Sequence, residues 1–204
     1  MKLYYMPGAC SLADHIALEW TGASYEAQAV ARDALKQPEF LALNPMGSVP
    51  CLVDNDFVLT QNVAILFYLD EQFPQAKLLG GSDKQVRADA MRWLAFCNAV
   101  LHGAFAAIFA PMRLLDDATQ HSALQAKARE KILRLLGIAD NALQGKSYLA
   151  SVKTVADAYL FVILRWAMGV GIDLTPFTQL TAFINTMTQD AGVQAAMKAE
   201  GLPS

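Results

Sequence analysis

The chain has 204 residues, 54% of them hydrophobic and 17% charged, with 16 Lys and Arg against 19 Asp and Glu and a formal net charge of −3. No block of like charge stands out, which excludes the basic footprint of a nucleic-acid binder, and the length holds one large domain or two small ones. The first third alternates strand-like and helix-like segments while everything after about Lys84 is helical in pattern, so two domains are expected, 1–76 and 84–204, with a linker at 77–83.

Residues 2–6 read as a strand, Pro7-Gly8 as a turn, and Cys10 stands where a helix over 11–21 begins. Helix N-termini carry partial positive charge and unpaired amide donors, which favours the thiolate of a cysteine placed there. The effect is worth roughly 0.3–1 kcal/mol on an exposed site and ~2 at best, which lowers a thiol pKa of about 8.5 by about a unit. Cys10 is therefore expected to be partly ionised near neutral pH. The competing reading is a small, inert apolar residue beside a helix cap; the exposure expected of the Pro-Gly turn argues against it. Leu12, Ile16 and Trp20 recur on one face, Gly22 stops the helix, and Ser11 and Asp14 fit a capping pair. Asp14, one turn from Cys10, opposes the thiolate if it lies close. His15 is a poor base for Cys10, because five positions at about 3.6 residues per turn set the side chains roughly 140° apart. A buried, hydrogen-bonded histidine is expected instead.

Residues 25–30 read as a second strand, 32–43 as a loop with a short helical turn near Phe40, and Asn44-Pro45-Met46-Gly47 as a turn. A hairpin is expected from 51–53 and 57–59 around Asp54-Asn55-Asp56, then an amphipathic helix over 62–72 closed by Phe73-Pro74. This order could build a four-stranded mixed sheet flanked by helices. Further helices are expected near 83–110, 119–143, 154–168, 176–191 and 193–200. The best candidate for a membrane span, 158–172, is short and carries Arg165, so it reads as a buried core helix. A second subunit is one cover for the remaining apolar surface. Only four apolar residues separate Lys2 from Pro7, so no secretory signal is expected and cytoplasmic residence follows. Cys10, Cys51 and Cys97 lie far apart, with no Cys-x-x-Cys pair and no histidine at ligand spacing, so neither a disulfide nor a metal site is expected. Cys51 and Cys97 read as core fillers.

Four local features occur in order: Pro7-Gly8-Ala9-Cys10-Ser11, Val49-Pro50 entering a strand, Leu59-Thr60-Gln61-Asn62-Val63-Ala64-Ile65 crossing from strand to helix, and Thr154-Val155-Ala156-Asp157 opening a helix. In this arrangement the chain resembles a glutathione transferase, most closely the bacterial beta class. The resemblance runs essentially end to end, including Leu160-Phe161, Arg165-Trp166 and the tail Ala199-Glu200-Gly201-Leu202. It implies an N-terminal thioredoxin-like domain followed by a C-terminal helical bundle, a homodimer, and reduced glutathione as co-substrate with no metal. The implied reaction joins glutathione to a small hydrophobic electrophile, with thiol–disulfide or peroxide chemistry at Cys10 as a further branch. Two alternatives stand beside it: a glutaredoxin-like thioltransferase as the main activity, and a non-catalytic interaction module on the same fold.

The resemblance also assigns residues. Cys10, Ser11 and His102 fall at catalytic positions; Val49, Pro50, Gln61, Asn62 and Lys36 at glutathione-binding positions; Phe105, Phe109, Met112 and Trp166 at the substrate pocket. It implies a cis bond between Val49 and Pro50, which would expose Val49 main-chain groups to the cysteinyl part of glutathione; the plain alternative is an ordinary strand-start proline. Gln61-Asn62 stands where the class generally has Glu-Ser. Asn62 can cap its helix and donate to the γ-glutamyl carboxylate beside backbone amides, whereas Gln61 can accept from the γ-glutamyl ammonium without supplying an anion. Gly103 replaces the class's usual lysine, Ala95 replaces an asparagine that reaches the partner's glutathione, and the 33–37 loop is shorter than usual. The glycyl carboxylate is thus left between Arg32, Lys36 and neither. For His102 and the pocket aromatics, core packing is the competing role.

Overall fold

In the computed structural model, which describes residues 1–203, β1 (Lys2–Tyr5) lies inside a sheet of order β2-β1-β3-β4. It pairs parallel with β2 (Glu26–Ala29) and antiparallel with β3 (Cys51–Asp54), and β3 pairs antiparallel with β4 (Phe57–Thr60). The parallel pair needs a crossover, supplied by α1 (Ser11–Thr21); the β3–β4 pair closes through a turn with Asn55 at φ 53°. This is the expected mixed sheet. The short helical turn expected near Phe40 is a six-residue helix, α2 (Pro38–Leu43), which Pro38 opens and Phe40 anchors in a small cluster with Val30, Leu35 and Cys51.

The remaining helices are α3 (Asn62–Gln72), α4 (Lys84–Ala95), α5 (His102–Phe109), α6 (His121–Ala142), α7 (Val155–Gly169), α8 (Thr178–Thr188) and α9 (Ala191–Ala199). The single helix expected near 83–110 has a continuous path but contains a π-helical stretch, Phe96–Leu101, between α4 and α5. Such a wide turn re-aims the side chains after it, here beginning with His102. This 84–109 helix, rather than 158–172, is long and apolar enough to cross a bilayer by length and composition. In the fold it packs on α7, whose residues from Val155 to Leu164 are all buried.

Two helices account for much of the apolar composition. α1 buries every residue from Ser11 to Leu18 because the sheet and α3 cover one side while α7 and α9 cover the other. α7 is enclosed in the same way by α1, α4 and α8. Its start is pinned by the Asp157 carboxylate, which accepts from Thr154 N–H (2.8 Å), Thr154 Oγ1–H (3.1 Å) and Leu149 N–H (2.9 Å).

A second buried carboxylate, Asp70 of α3, accepts from Leu79 N–H at 2.9 Å and Arg87 Nη1–H at 2.5 Å, tying α3 to α4. Arg87→Ala removes a charge-assisted bond from a carboxylate with little access to water. It is expected to lower stability by about 2 kcal/mol, measurable by urea unfolding.

Candidate active site

The turn after β1 is closed on itself. Met6 N–H donates to Ser11 Oγ at 3.2 Å, Ser11 Oγ–H donates to Met6 O at 3.4 Å, and Ala9 N–H donates to Met6 O at 3.0 Å. Ser11 is fully buried, so its hydroxyl closes the turn, and it forms no capping pair with Asp14. The N-cap of α1 is Cys10, with no side-chain cap bond.

Cys10 is half-buried and its thiol donates to Val49 O, 3.7 Å away. The expectation of partial ionisation fails. Burial, then the nearby Asp14 charge, push the thiol up to about 12 against the pull of the Cys10 and Ser11 amides and Asn62. Burial outweighs the helix terminus, which is worth only about one unit. The Pro7-Gly8 turn leaves the thiol less exposed than expected because the helical half covers it. Trp166 Nε1–H donates to Gly8 O at 2.7 Å, and the Gly8 N–H donates to Glu200 Oε2 at 2.9 Å.

Beneath Cys10 lies a buried polar network. Asn62 Nδ2–H donates to Asp14 Oδ2 at 2.6 Å and to Cys10 O at 2.9 Å. Burial raises the Asp14 carboxyl well above its usual range. Asn62, expected to cap α3 and reach a ligand, is therefore turned inward and 5% exposed. The N-cap position belongs to Gln61, at φ 74° with no side-chain cap bond, so the first amides of α3 have no side-chain acceptor among the described residues.

Tyr159, which the sequence reading did not single out, is the centre of this network. Its hydroxyl lies 2.8 Å from His102 Nδ1, 3.0 Å from Asn98 Oδ1 and 3.4 Å from Asn62 Oδ1. The hydroxyl has one proton and both Asn oxygens only accept, so Tyr159 donates to the nearer Asn98 oxygen and receives Nδ1–H from His102. His102 Nε2 then carries a lone pair, and burial lowers the histidine below its ordinary 6.5, which keeps it neutral. The available signal was a phenol among the apolar neighbours Ala158, Leu160 and Phe161, since a buried tyrosine hydroxyl needs a partner.

Val49–Pro50 is cis, and among the described residues no main-chain hydrogen bond engages the Val49 N–H. Lys36 Nζ donates to Met46 O (3.1 Å) and Gly47 O (3.2 Å), while Gln61 Nε2–H points at Met46 Sδ, 3.4 Å away. The expected binding residues except Asn62 thus border one strip. His15 is buried and donates Nδ1–H to Glu200 Oε1 at 2.9 Å, as expected of a structural histidine; Cys51 and Cys97 are fully buried.

The pocket residues divide. Trp166 packs edge-on against His102 (4.8 Å between centroids), Phe105 (5.7 Å) and Phe109 (5.4 Å), forming one aromatic wall. Phe105 is fully buried and backs the wall, whereas Phe109 is half exposed. Met112 stands apart on a short 3-10 turn, largely exposed.

Two family profiles match the chain: "Glutathione S-transferase, N-terminal domain" over residues 1–71 and "Glutathione S-transferase, C-terminal domain" over 96–190. Glutathione S-transferase GST-4.5 of Xanthomonas campestris pv. campestris is 45% identical over 203 residues, covering 99% of this chain and 100% of the relative. The chain belongs to the glutathione S-transferase family. Among solved glutathione S-transferases, that of Xylella fastidiosa superposes with a TM-score of 0.95 at 46% identity over 99% of each chain. A sphingomonad glutathione S-transferase complexed with glutathione does so with 0.88 at 39% identity over 100% of both. The mixed sheet followed by helices is the family's two-part fold.

Proposed function

We propose that the protein is a cytoplasmic, homodimeric glutathione transferase of the bacterial beta class that conjugates reduced glutathione to small hydrophobic electrophiles. Residues 1–76 hold glutathione and 84–204 supply the acceptor pocket, joined by 77–83. The observation that carries this reading is the strip formed by the unengaged Val49 N–H, the uncapped start of α3 and the Cys10 turn. Amides at the α3 start receive the γ-glutamyl carboxylate, Gln61 accepts from the ammonium, Val49 pairs with the cysteinyl main chain and Lys36 meets the glycyl carboxylate. Exposed apolar side chains at Met46, Phe57 and Phe67 suit a subunit contact.

The glutathione thiol then lies by Cys10 and His102. His102 Nε2 takes its proton, and the Cys10 S–H and the α1 start donate to the resulting thiolate. The thiolate sulfur forms a bond to the electrophilic carbon held against Trp166 and Phe109 while the leaving group departs with its electron pair. A Cys10 with its thiol held near 12 is a poor nucleophile at neutral pH, so conjugation is favoured over thiol–disulfide exchange. The test is titration calorimetry with glutathione together with a conjugation assay on a chloronitrobenzene acceptor. No heat and no conjugate would overturn the proposal.

Two further results are expected. Cys10→Ala changes the conjugation rate by less than about tenfold, because it removes one neutral donor, and abolishes any glutathione adduct seen by intact mass. Gln61→Glu lowers the KM for glutathione about tenfold in steady-state kinetics, since a charged acceptor adds about 1.5 kcal/mol over an amide oxygen.

A further inference from the structure

Asn98 stands among apolar side chains and a thiol in the π-helical stretch Phe96-Cys97-Asn98-Ala99-Val100-Leu101, a poor place for an asparagine on helix propensity alone. The His102 N–H closes this stretch by bonding to Cys97 O, five positions back, in place of the α-helical bond to Asn98 O. Side chains from both sides of that wide turn reach one atom, the Tyr159 hydroxyl of α7: Asn98 Oδ1 lies at 3.0 Å and His102 Nδ1 at 2.8 Å. Tyr159 is fully buried, and a third group in reach, Asn62 Oδ1, lies at 3.4 Å.

A hydroxyl has one proton to give. Asn62 is the weaker claimant, because its amide is fixed by donation to Asp14 Oδ2 and Cys10 O, which leaves its oxygen beyond the usual O–H···O distance. His102 Nδ1 is the nearest group, and without Asn98 it is the acceptor the proton would turn to. The ring proton would then stand on Nε2, and the atom assigned to the glutathione thiol would be a donor instead of a lone pair. The two arrangements carry the same charge. They differ in which way the hydroxyl points and in which ring nitrogen holds the proton, which leaves one nitrogen and binds the other through solvent.

We propose that Asn98 is a positioning residue for His102: its Oδ1 takes the Tyr159 hydroxyl proton, so that the hydroxyl oxygen accepts Nδ1–H and the Nε2 lone pair is left for the substrate. The inference rests on the reading of His102 as the base. The tautomer of a working histidine is set by the bond its other nitrogen makes, and here that bond is set one group further out.

The test compares wild type, Asn98→Leu and Asn98→Asp by long-range proton–nitrogen NMR of 15N-labelled protein without glutathione, at about pH 8, where the histidine is neutral. Protonated and bare ring nitrogens have separate shifts, and the His102 signals are those missing from His102→Ala. Cys10 and Asp14 of α1 and Cys97 of the π stretch also face Tyr159 and are the same in every sample, so a difference between spectra belongs to position 98. Wild type is expected to carry the His102 proton on Nδ1. Asn98→Leu, similar in size but with no acceptor, is expected to move it to Nε2 and to lower kcat/KM for glutathione conjugation about tenfold. Asn98→Asp keeps an acceptor and is expected to hold the wild-type tautomer, with kcat/KM within about threefold. Should Asn98→Leu not fold, Asn98→Val, which also lacks an acceptor, is read in its place. A wild type with the proton on Nε2 overturns the proposal, as does an acceptor-free variant with the wild-type tautomer or an Asn98→Asp that matches Asn98→Leu. The NMR arm needs no glutathione, so a wild type that binds none overturns the proposed function and leaves this arm standing.

Discussion

Asp157→Ala is expected to destabilise the protein by about 3–5 kcal/mol, because it leaves the Leu149 and Thr154 amides and the Thr154 hydroxyl without an acceptor where water cannot reach. For a chain of this size that lowers Tm by on the order of 10 °C, read by calorimetry. The location sets the size of the effect: α7 is the helix against which α1, α4 and α8 pack, so its first turn supports both halves. The pH dependence has a defined sign. Burial raises the Asp157 carboxyl from 3.8 to about 6, so the native state takes up the proton before the unfolded chain does. The stability gap between wild type and Asp157→Ala is therefore expected to widen as pH falls from about 6 toward 4, and a gap that narrows over that window would contradict the assignment.

For activity, the largest single loss is expected from His102→Ala, about 10²-fold in kcat/KM, the lower end of what a positioned base contributes. The wild-type kcat/KM should fall on acidification only below the ordinary histidine value of 6.5, since burial lowers His102 and the neutral form is the active one. That acid limb should be absent in His102→Ala. Tyr159→Phe separates the base from its support. It removes the acceptor for Nδ1–H while leaving the aromatic packing in place, and is expected to lower kcat/KM about tenfold with the limb retained. A Tyr159→Phe enzyme with wild-type kcat/KM would remove Tyr159 from the mechanism.

How far the site was legible varies residue by residue. The cis bond at Val49-Pro50 is implied by a short motif, and the structure has it, whereas the α3 start was expected to be capped by Asn62 and instead has Gln61 at the N-cap with no side-chain cap bond. Asn62 was misplaced because its amide is claimed by Asp14 and Cys10, which lie about fifty positions earlier. Tyr159 was missed because its partners His102, Asn98 and Asn62 lie 57, 61 and 97 positions away on other elements, and Glu200 because His15 and Gly8 lie 185 and 192 positions earlier. Trp166 was expected in a pocket wall, where it stands, but its indole N–H also holds the Gly8 carbonyl.

By itself the sequence determined the order of strands and helices, the hairpin, the helix starts at Cys10 and Thr154, and the resemblance that names the family. These depend on hydrophobic period, turn residues and capping patterns, all of which act over a few positions. Only the tertiary structure decided that burial raises the Cys10 thiol, that Asn62 faces inward, and that His102 Nδ1 meets the Tyr159 hydroxyl. Desolvation and hydrogen-bond partnership are set by which distant side chains the fold brings within a few ångströms: Trp166 and Glu200 reach Gly8 of the Cys10 turn, and Tyr159 reaches Asn62 beneath it.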